Sequence, residues 1–177
     1  MEKSQLIHKQ KIDLLFSKLT NQGYEHFEKF ILELDINAET LHPFAIWSID
    51  KYQRVCIAHD ENAELILLCW GKGQGTPIHS HDKQECWVHI VDGKITETLY
   101  ESNSAINIMN KRTISRGAFT YLTDDIGFHK LENNTNDITM SLHLYANPIE
   151  KCEVYDKHND CFVSMSLKYD KCLENKS

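Results

Sequence analysis

The sequence predicts a mainly β fold, a small closed or sandwiched β structure preceded by helices. From about residue 45, short runs rich in Val, Ile, Thr and aromatic residues recur between turn signals. No long helical pattern separates these runs, which is typical of β-barrels and sandwiches. We therefore expect residues 1–177 to form one domain, with 1–42 mostly helical and 45–169 a small jelly-roll-like β-barrel.

The N-terminal part shows the apolar period of helices. Phe27, Phe30, Ile31 and Leu34 fall at i, i+3, i+4 and i+7, which is the spacing of one helix face. Gly23 separates this stripe from an earlier helix-like segment, LIHKQKIDLLFSKL. Two or three helices are expected, and core packing is a commoner use of such a stripe than binding a partner.

Seven strand candidates follow, namely AIWSI, RVCIA, ELILLCW, CWVHIV, KITETLY, ITMSLHLYA and CFVSMSL. Between CWVHIV and KITETLY stands Asp92-Gly93. Asp-Gly flanked by two strand-like runs is a strong signal for a two-residue hairpin. We therefore expect these two runs to pair with each other.

Composition narrows the class of protein. The chain has 177 residues, 41% hydrophobic and 25% charged, with a formal net charge of −7, as in a globular protein with a sizeable core. The negative charge argues against nucleic acid or an anionic membrane surface as a partner. No apolar run reaches the roughly 20 residues of a membrane helix, and the first residues lack the apolar core of a signal peptide. A cytoplasmic protein is expected.

Cysteine usage fits that compartment. Six cysteines occur without a CxxC pair, so neither a zinc-ribbon nor a thioredoxin-type motif is present. Disulfides are disfavoured in a chain without a leader. Most of the cysteines are expected to act as small buried apolar residues.

A metal site is indicated by histidines. His79 and His81 stand two residues apart behind a Gly- and Pro-containing approach, and residues i and i+2 of a strand share a face. His129, in DDIGFHKLEN, is the candidate third ligand. Three imidazoles suit Fe, Zn, Cu and Ni alike. The alternative is a set of ordinary surface or core histidines.

The spacing of this region resembles the cupin superfamily of small antiparallel β-barrels with an internal metal. The first cupin signature is matched at Gly73, His79, His81, Cys86 and Gly93. In most cupins a glutamate stands at the position of Cys86. The second signature is matched in part, at Gly117, His129 and Asn133.

Further sequence segments restrict the resemblance to one family within the cupins. Between Lys51 and Tyr169 the chain is similar to the cysteine dioxygenase family, the thiol-oxidising cupins. The similar strings are YQR at 52–54, LLCWGKGQG at 67–75, IHSH at 78–81, Cys86, and SLHLYANP at 141–148. A cupin fold alone would say little about function, so these strings carry the functional expectation.

The resemblance implies roles for individual residues. His79, His81 and His129 would bind one Fe(II) per chain, and Arg54 would hold the substrate carboxylate. A guanidinium suits that task because its planar fork pairs with two carboxylate oxygens. On sequence alone, a surface arginine in a strand is the commoner reading of Arg54.

The resemblance also implies a tyrosine beside the metal. Tyr145 matches the active-site tyrosine, and Cys86 matches the cysteine that becomes joined to it by a thioether bond. Ser141, His143 and Tyr145 alternate along one strand and so face the same way, which permits a relay in which His143 orients the Tyr145 hydroxyl. The remaining matches are pocket-lining or entrance positions: Tyr52, Trp70, Cys152 and Met165.

The resemblance implies oxidation of L-cysteine to cysteine sulfinic acid, with both atoms of O2 entering the product. The protein is expected to be a monomer. Two alternatives remain open. One is a dioxygenase for another small thiol, such as 3-mercaptopropionate or cysteamine. Arg54 argues against cysteamine, which has no carboxylate, and mercaptopropionate enzymes tend to have glutamine there. The other is a non-catalytic metal-binding cupin that acts as a sensor or binding module.

Overall fold

The computed structural model describes residues 3–101 and 104–173, so the outermost residues of the expected 1–177 unit lie outside it. Three α-helices open the chain: α1 (Lys3–Gln22), α2 (Phe27–Glu33) and α3 (Ala38–Leu41). Short 3-10 turns follow α1 and α3. No helix in the described part of the chain combines the length and apolar character needed to cross a membrane.

Eleven strands occur within the described residues. They are β1 (Gln53–His59), β2 (Ala63–Trp70), β3 (Cys86–Asp92), β4 (Lys94–Glu101), β5 (Ser104–Ser115), β6 (Phe119–Leu122), β7 (Phe128–Glu132), β8 (Thr139–Ala146), β9 (Lys151–Asp156), β10 (Cys161–Ser166) and β11 (Lys171–Cys172). The prediction of a mainly β fold with N-terminal helices is confirmed.

Two layers of strands face each other. One layer is a six-stranded sheet in the order β11-β1-β2-β8-β3-β6. The other contains the three-stranded sheet β5-β4-β7 and the hairpin β9-β10. Single bridges from His79 to both His129 and Val154 connect β7 to β9 through the segment before β3. The described strands thus form an open sandwich, and the expected barrel is not closed by a continuous hydrogen-bonded ladder.

Strand alternation divides the core into two clusters. On β2, Leu65 and Leu67 belong to the cluster that contains the buried helix residues, whereas Ile66 and Leu68 belong to a second cluster with residues of β3, β4 and β7. Because alternate side chains point to opposite faces, the six-stranded sheet carries the helices on one face and the second layer on the other. The expected stripe on α2 is part of this core, since Phe27, Phe30 and Ile31 are buried.

The prediction of a hairpin at Asp92-Gly93 is wrong. β3 pairs with β6 and β8, whereas β4 pairs with β5 and β7. Gly93, with a positive φ of 75°, therefore marks a corner where the chain leaves one sheet for the other. A Cβ at Gly93 would collide with the Thr139 side chain, so glycine is required by the close approach of β8 as well as by the turn.

Candidate active site

The three histidines of the predicted metal site meet between the two layers. The segment that carries His79 lies against β7, where His79 N donates to His129 O at 2.9 Å and His129 N donates to His79 O at 3.1 Å. This approach requires glycine, because a Cβ at Gly75 would lie 2.7 Å from the Leu131 carbonyl oxygen. The fold thereby brings His79, His81 and His129 together.

Their geometry and protonation suit a metal ion. Each residue offers one ring nitrogen, and the three nitrogens lie within 4.8 Å of one another. Nε2 of His129 is 3.0 Å from Nε2 of His81. Burial, followed by the neighbouring histidines, holds the pKa of His81 and of His129 well below the ordinary value. The rings are therefore neutral, which is the form that binds metals.

A buried carboxylate orients one of these rings. Glu97 on β4 is fully buried, and its Oε1 lies 3.3 Å from Nδ1 of His129. Nδ1 thus donates to the carboxylate, and Nε2 presents its lone pair to the site. Arg112 donates to the other oxygen of Glu97 from Nε at 2.7 Å. Glu97 was not among the predicted residues. It lies two positions from the apolar Ile95 and Leu99 in KITETLY, so the three side chains share one strand face, which indicates that Glu97 points inward.

Arg54 lies on β1 and faces the same cavity as the histidines. Its side chain is largely buried, and its Nε and Nη2 atoms have no hydrogen-bond partner in the described structure. A buried guanidinium with two unpaired donors is unfavourable by itself. The two atoms are suited to a bidentate carboxylate of a small ligand.

Ser141 and His143 on the inner face of β8 form a hydrogen-bonded row with Trp70 at the end of β2. Trp70 Nε1 donates to Ser141 Oγ at 2.9 Å, and Ser141 Oγ lies 2.8 Å from His143 Nε2. Since an indole N–H can only donate, the Ser141 hydroxyl is free to donate to His143. Burial, with Arg54 as a further cause, lowers the pKa of His143 to about 3. The neutral ring then carries its proton on Nδ1.

That Nδ1 atom points toward sulfur, because Cys86 Sγ lies 3.9 Å from it. The rings of His143 and Tyr145 are nearly parallel, with centroids 6.3 Å apart and an interplanar angle of 19°. In this structure His143 therefore contacts Tyr145 ring against ring. Burial raises the pKa of Tyr145 well above its usual range, so the phenol remains protonated.

Cys86 and Tyr145 are cross-strand partners. They are paired in the antiparallel register of β3 and β8, and both are buried. Directly opposed residues of an antiparallel pair have Cβ atoms about 4.5–5.5 Å apart and project from the same face. Burial raises the pKa of the Cys86 thiol, which keeps it protonated.

The remaining predicted residues divide into two groups. Tyr52, Cys152 and Met165 line the cavity that contains the histidines and Arg54. Trp70 does not line it, because its ring lies behind Ser141 and stacks on Tyr52 with centroids 4.7 Å apart. The cavity wall is completed by apolar side chains, among them Leu68, Leu131, Ile149 and Leu167.

Two residues near Arg54 were missed from the sequence. Glu64 on β2 is fully buried. Its Oε1 accepts from Ile149 N at 3.1 Å and its Oε2 accepts from the Tyr169 hydroxyl. Burial raises the pKa of Glu64, with these two hydrogen bonds acting in the opposite direction. The sequence signal is an acidic residue at an inward position of the apolar run AELILLCW; nothing local indicates Tyr169.

The chemistry of the donors fits a divalent transition metal. Three neutral imidazoles on a largely apolar cavity leave open positions for other ligands. An arginine with unpaired donors and a protonated tyrosine face the same space. The arrangement can hold a small carboxylate-bearing ligand beside a metal.

Solved structures with a related fold include two with TM-scores above 0.5. A protein of Thermus thermophilus has a TM-score of 0.52 and 15% identity, covering 60% of this chain and 93% of that one. A double-stranded β-helix protein of Klebsiella pneumoniae has a TM-score of 0.51 and 12% identity, covering 72% of this chain and 95% of that one. At these identities the likeness shows the fold alone.

Proteins related in sequence indicate the family more specifically than these structures do. Cysteine dioxygenase type 1 of Rattus norvegicus is 35% identical over 99 residues, 52% of this chain and 49% of the relative. The protein of that name from Danio rerio is 26% identical over 156 residues, 82% of this chain and 78% of the relative. The chain thus spans about half the length of the mammalian relatives it matches. The family model of cysteine dioxygenase type I matches residues 9–158, so this chain belongs to the cysteine dioxygenase type I family.

Proposed function

We propose that this protein oxidises L-cysteine with O2 to cysteine sulfinic acid, with one ferrous ion per chain bound by His79, His81 and His129. The observation that carries the proposal is one cavity that joins the three histidines to the unpaired donors of Arg54. Membership of the cysteine dioxygenase type I family supports the same activity. The reaction balances as one thiol plus one O2 giving one sulfinic acid.

Ferrous iron held by these three histidines would supply the redox chemistry that joins the thiol sulfur to O2. The protein's share is positioning. Arg54 would bind the α-carboxylate through Nε and Nη2, the two atoms that lack partners. This pairing fixes one end of the substrate and leaves its sulfur directed toward the histidines.

Tyr145 would donate a hydrogen bond to the same carboxylate. Its raised pKa keeps the phenol proton in place, and its ring lies 5.8 Å, centroid to centroid, from the ring of His81. The hydrogen bonds from Trp70 to Ser141 and from Ser141 to His143 hold the His143 ring in place. The Tyr145 ring stacks on that ring. The apolar wall around these groups limits the entry of water.

Oxygen uptake by the iron-loaded protein with three thiols tests the proposal. L-cysteine should give the highest kcat/KM, 3-mercaptopropionate a lower one, and cysteamine the lowest because it lacks a carboxylate. A preference for 3-mercaptopropionate would reassign the substrate within the same chemistry. No oxygen uptake with any thiol, despite one bound iron per chain, would leave only a non-catalytic metal-binding protein.

A further inference from the structure

A second group of side chains that could hold a metal ion lies outside the cavity lining. Cys56, His59 and Cys172 each offer one ligand atom, and the two sulfurs and the ring nitrogen all lie within 4.8 Å of one another. The group stands at the edge of the six-stranded sheet where β11 pairs with β1. None of the three residues is used by the proposed dioxygenase chemistry.

An irregularity in β1 places two of these residues on one face. Positions 56 and 59 would face opposite sides of a regular strand, because side chains alternate. The register of β1 against β2 shifts between Cys56 and Ala58. An extra residue at a β-bulge re-aims the side chains that follow it. His59 is thereby turned to the side of Cys56.

The third residue arrives from the far end of the chain. β11 is only two residues long and runs parallel to β1, with Cys172 paired to Cys56 in the register. Partners in a ladder project from the same face. The Cys56 and Cys172 sulfurs lie within 4.8 Å of each other, and Cys172 Sγ lies 3.8 Å from the Leu173 carbonyl oxygen.

The spacing and accessibility suit a small ion. A tetrahedral zinc site with these donors has ligand–ligand edges of about 3.5–3.8 Å, so small side-chain rotations would close the group around a metal. Cys56 is fully buried, whereas His59 and Cys172 are exposed, which leaves a path from solvent. Glu64 on β2 is the direct partner of His59 in the antiparallel register, so its side chain projects from the same face as that of His59.

We propose that Cys56, His59 and Cys172 form a second metal site, selective for a soft or borderline divalent ion such as Zn²⁺. Two thiolates and one imidazole are the donors that such ions prefer. Both thiols lose their protons to solvent on binding. Three protein ligands leave a fourth position for water. The ion would tether the two-residue strand β11, and with it Asp170, which accepts from Arg54 N at 2.9 Å.

Cobalt titration of the reduced, metal-free full chain tests the site. Co²⁺ bound by thiolate gives a charge-transfer absorption in the near ultraviolet, which a site of three histidines lacks. The wild type should bind two Co²⁺ per chain and show this band. H81A should bind one Co²⁺ and keep the band, which separates the second site from the first and from the proposed activity.

Ligand variants complete the test. C172S and H59A change exposed side chains, so folding should survive, and each should weaken the thiolate-bound cobalt at least tenfold. C161S is the matched control, since Cys161 is also exposed and lies on β10, and it should leave the band unchanged. A cobalt affinity and band intensity in C172S equal to those of the wild type, or no band in the wild type, overturns the proposal. So does recovery of a Cys56–Cys172 disulfide in place of metal binding, seen as linked peptides two hydrogens lighter.

Discussion

At the scale of single residues, the site is built from buried polar groups whose partners are specified. His143 has Ser141 on one nitrogen and Cys86 on the other. Glu97 has His129 and Arg112 on its two oxygens. Arg54 differs, because two of its donors are buried without partners in the described structure. Buried polar groups are nearly always paired. A substrate carboxylate would supply the two hydrogen bonds that Arg54 lacks.

Replacing Arg54 with alanine should therefore affect cysteine far more than cysteamine. Each hydrogen bond between charged groups contributes about 1.5–3 kcal/mol, so loss of a bidentate pair should lower kcat/KM for cysteine roughly 10²–10³-fold. Any activity with cysteamine should be nearly unchanged. K51A is a matched control, because Lys51 is an exposed cation that pairs with Asp170, and it should change neither value by more than about twofold. An equal loss for both thiols in R54A would assign Arg54 to the fold.

Glu97→Gln should weaken iron binding. The amide cannot accept from both His129 and Arg112, so the orientation of the His129 ring is lost. Mutating such supporting groups lowers metal affinity about 10–100-fold, which competition with a chelator measures. E132Q is the control, because Glu132 ends the same strand as His129 and pairs with Lys130. H129A should bind no iron. Unchanged affinity in E97Q would remove Glu97 from the metal site.

At the scale of elements, strand register is what brings the reactive groups together. Cys86 on β3 and Tyr145 on β8 are direct partners, although they lie far apart in sequence. Local pattern predicted that each lies in a strand, but the pairing came from resemblance. Asp92-Gly93 shows the limit of local pattern. The same two residues suit a hairpin or a corner between sheets, and only the partners of β3 and β4 decide which.

This register predicts a Cys86–Tyr145 thioether in protein that has turned over cysteine. The two residues are direct cross-strand partners, and the bond would remove a free thiol beside an oxidising metal. Peptide mass spectrometry after reduction should find the two peptides joined and two hydrogens lighter than their sum. Iron-free protein should show only the separate peptides. Separate peptides after many turnovers in iron-loaded protein would refute the thioether and leave the dioxygenase proposal standing.

β3 also carries a histidine that should make folding sensitive to acid. His89 is largely buried and stacks on Phe119 at 4.3 Å between centroids. Burial lowers its pKa, so below about pH 6.5 the unfolded chain takes up a proton that the folded chain resists. Stability from this group is therefore complete above that pH and falls as the pH drops toward the lowered value.

Urea unfolding of the wild type and H89F at pH 7.5 and 5.5 measures this contribution. The phenylalanine keeps the ring stack and cannot titrate. The loss of unfolding free energy between the two pH values should be smaller in H89F, by at most about 1.4 kcal/mol. An identical loss in both proteins would show that His89 has the same pKa folded and unfolded.

At the scale of the whole molecule, the sequence predicted a mainly β fold and the His79–His81 pair because both predictions depend on short-range pattern. Runs of β-branched and aromatic residues predicted the strands, and HxH spacing predicted two metal ligands. The contacts that complete the site are long-range. Glu64 meets Tyr169, and Arg54 N meets Asp170 116 positions away. Such contacts depend on the closure of β11 against β1, which no local signal marks.

The proposed dioxygenase activity would transfer both atoms of one O2 to the sulfur of L-cysteine. Mass spectrometry of the product formed from L-cysteine under ¹⁸O2 tests it most directly. Cysteine sulfinic acid carrying two ¹⁸O atoms from one O2 is the predicted result, with no label from water. Product with one labelled oxygen, or cystine as the sole product, would contradict dioxygenase activity.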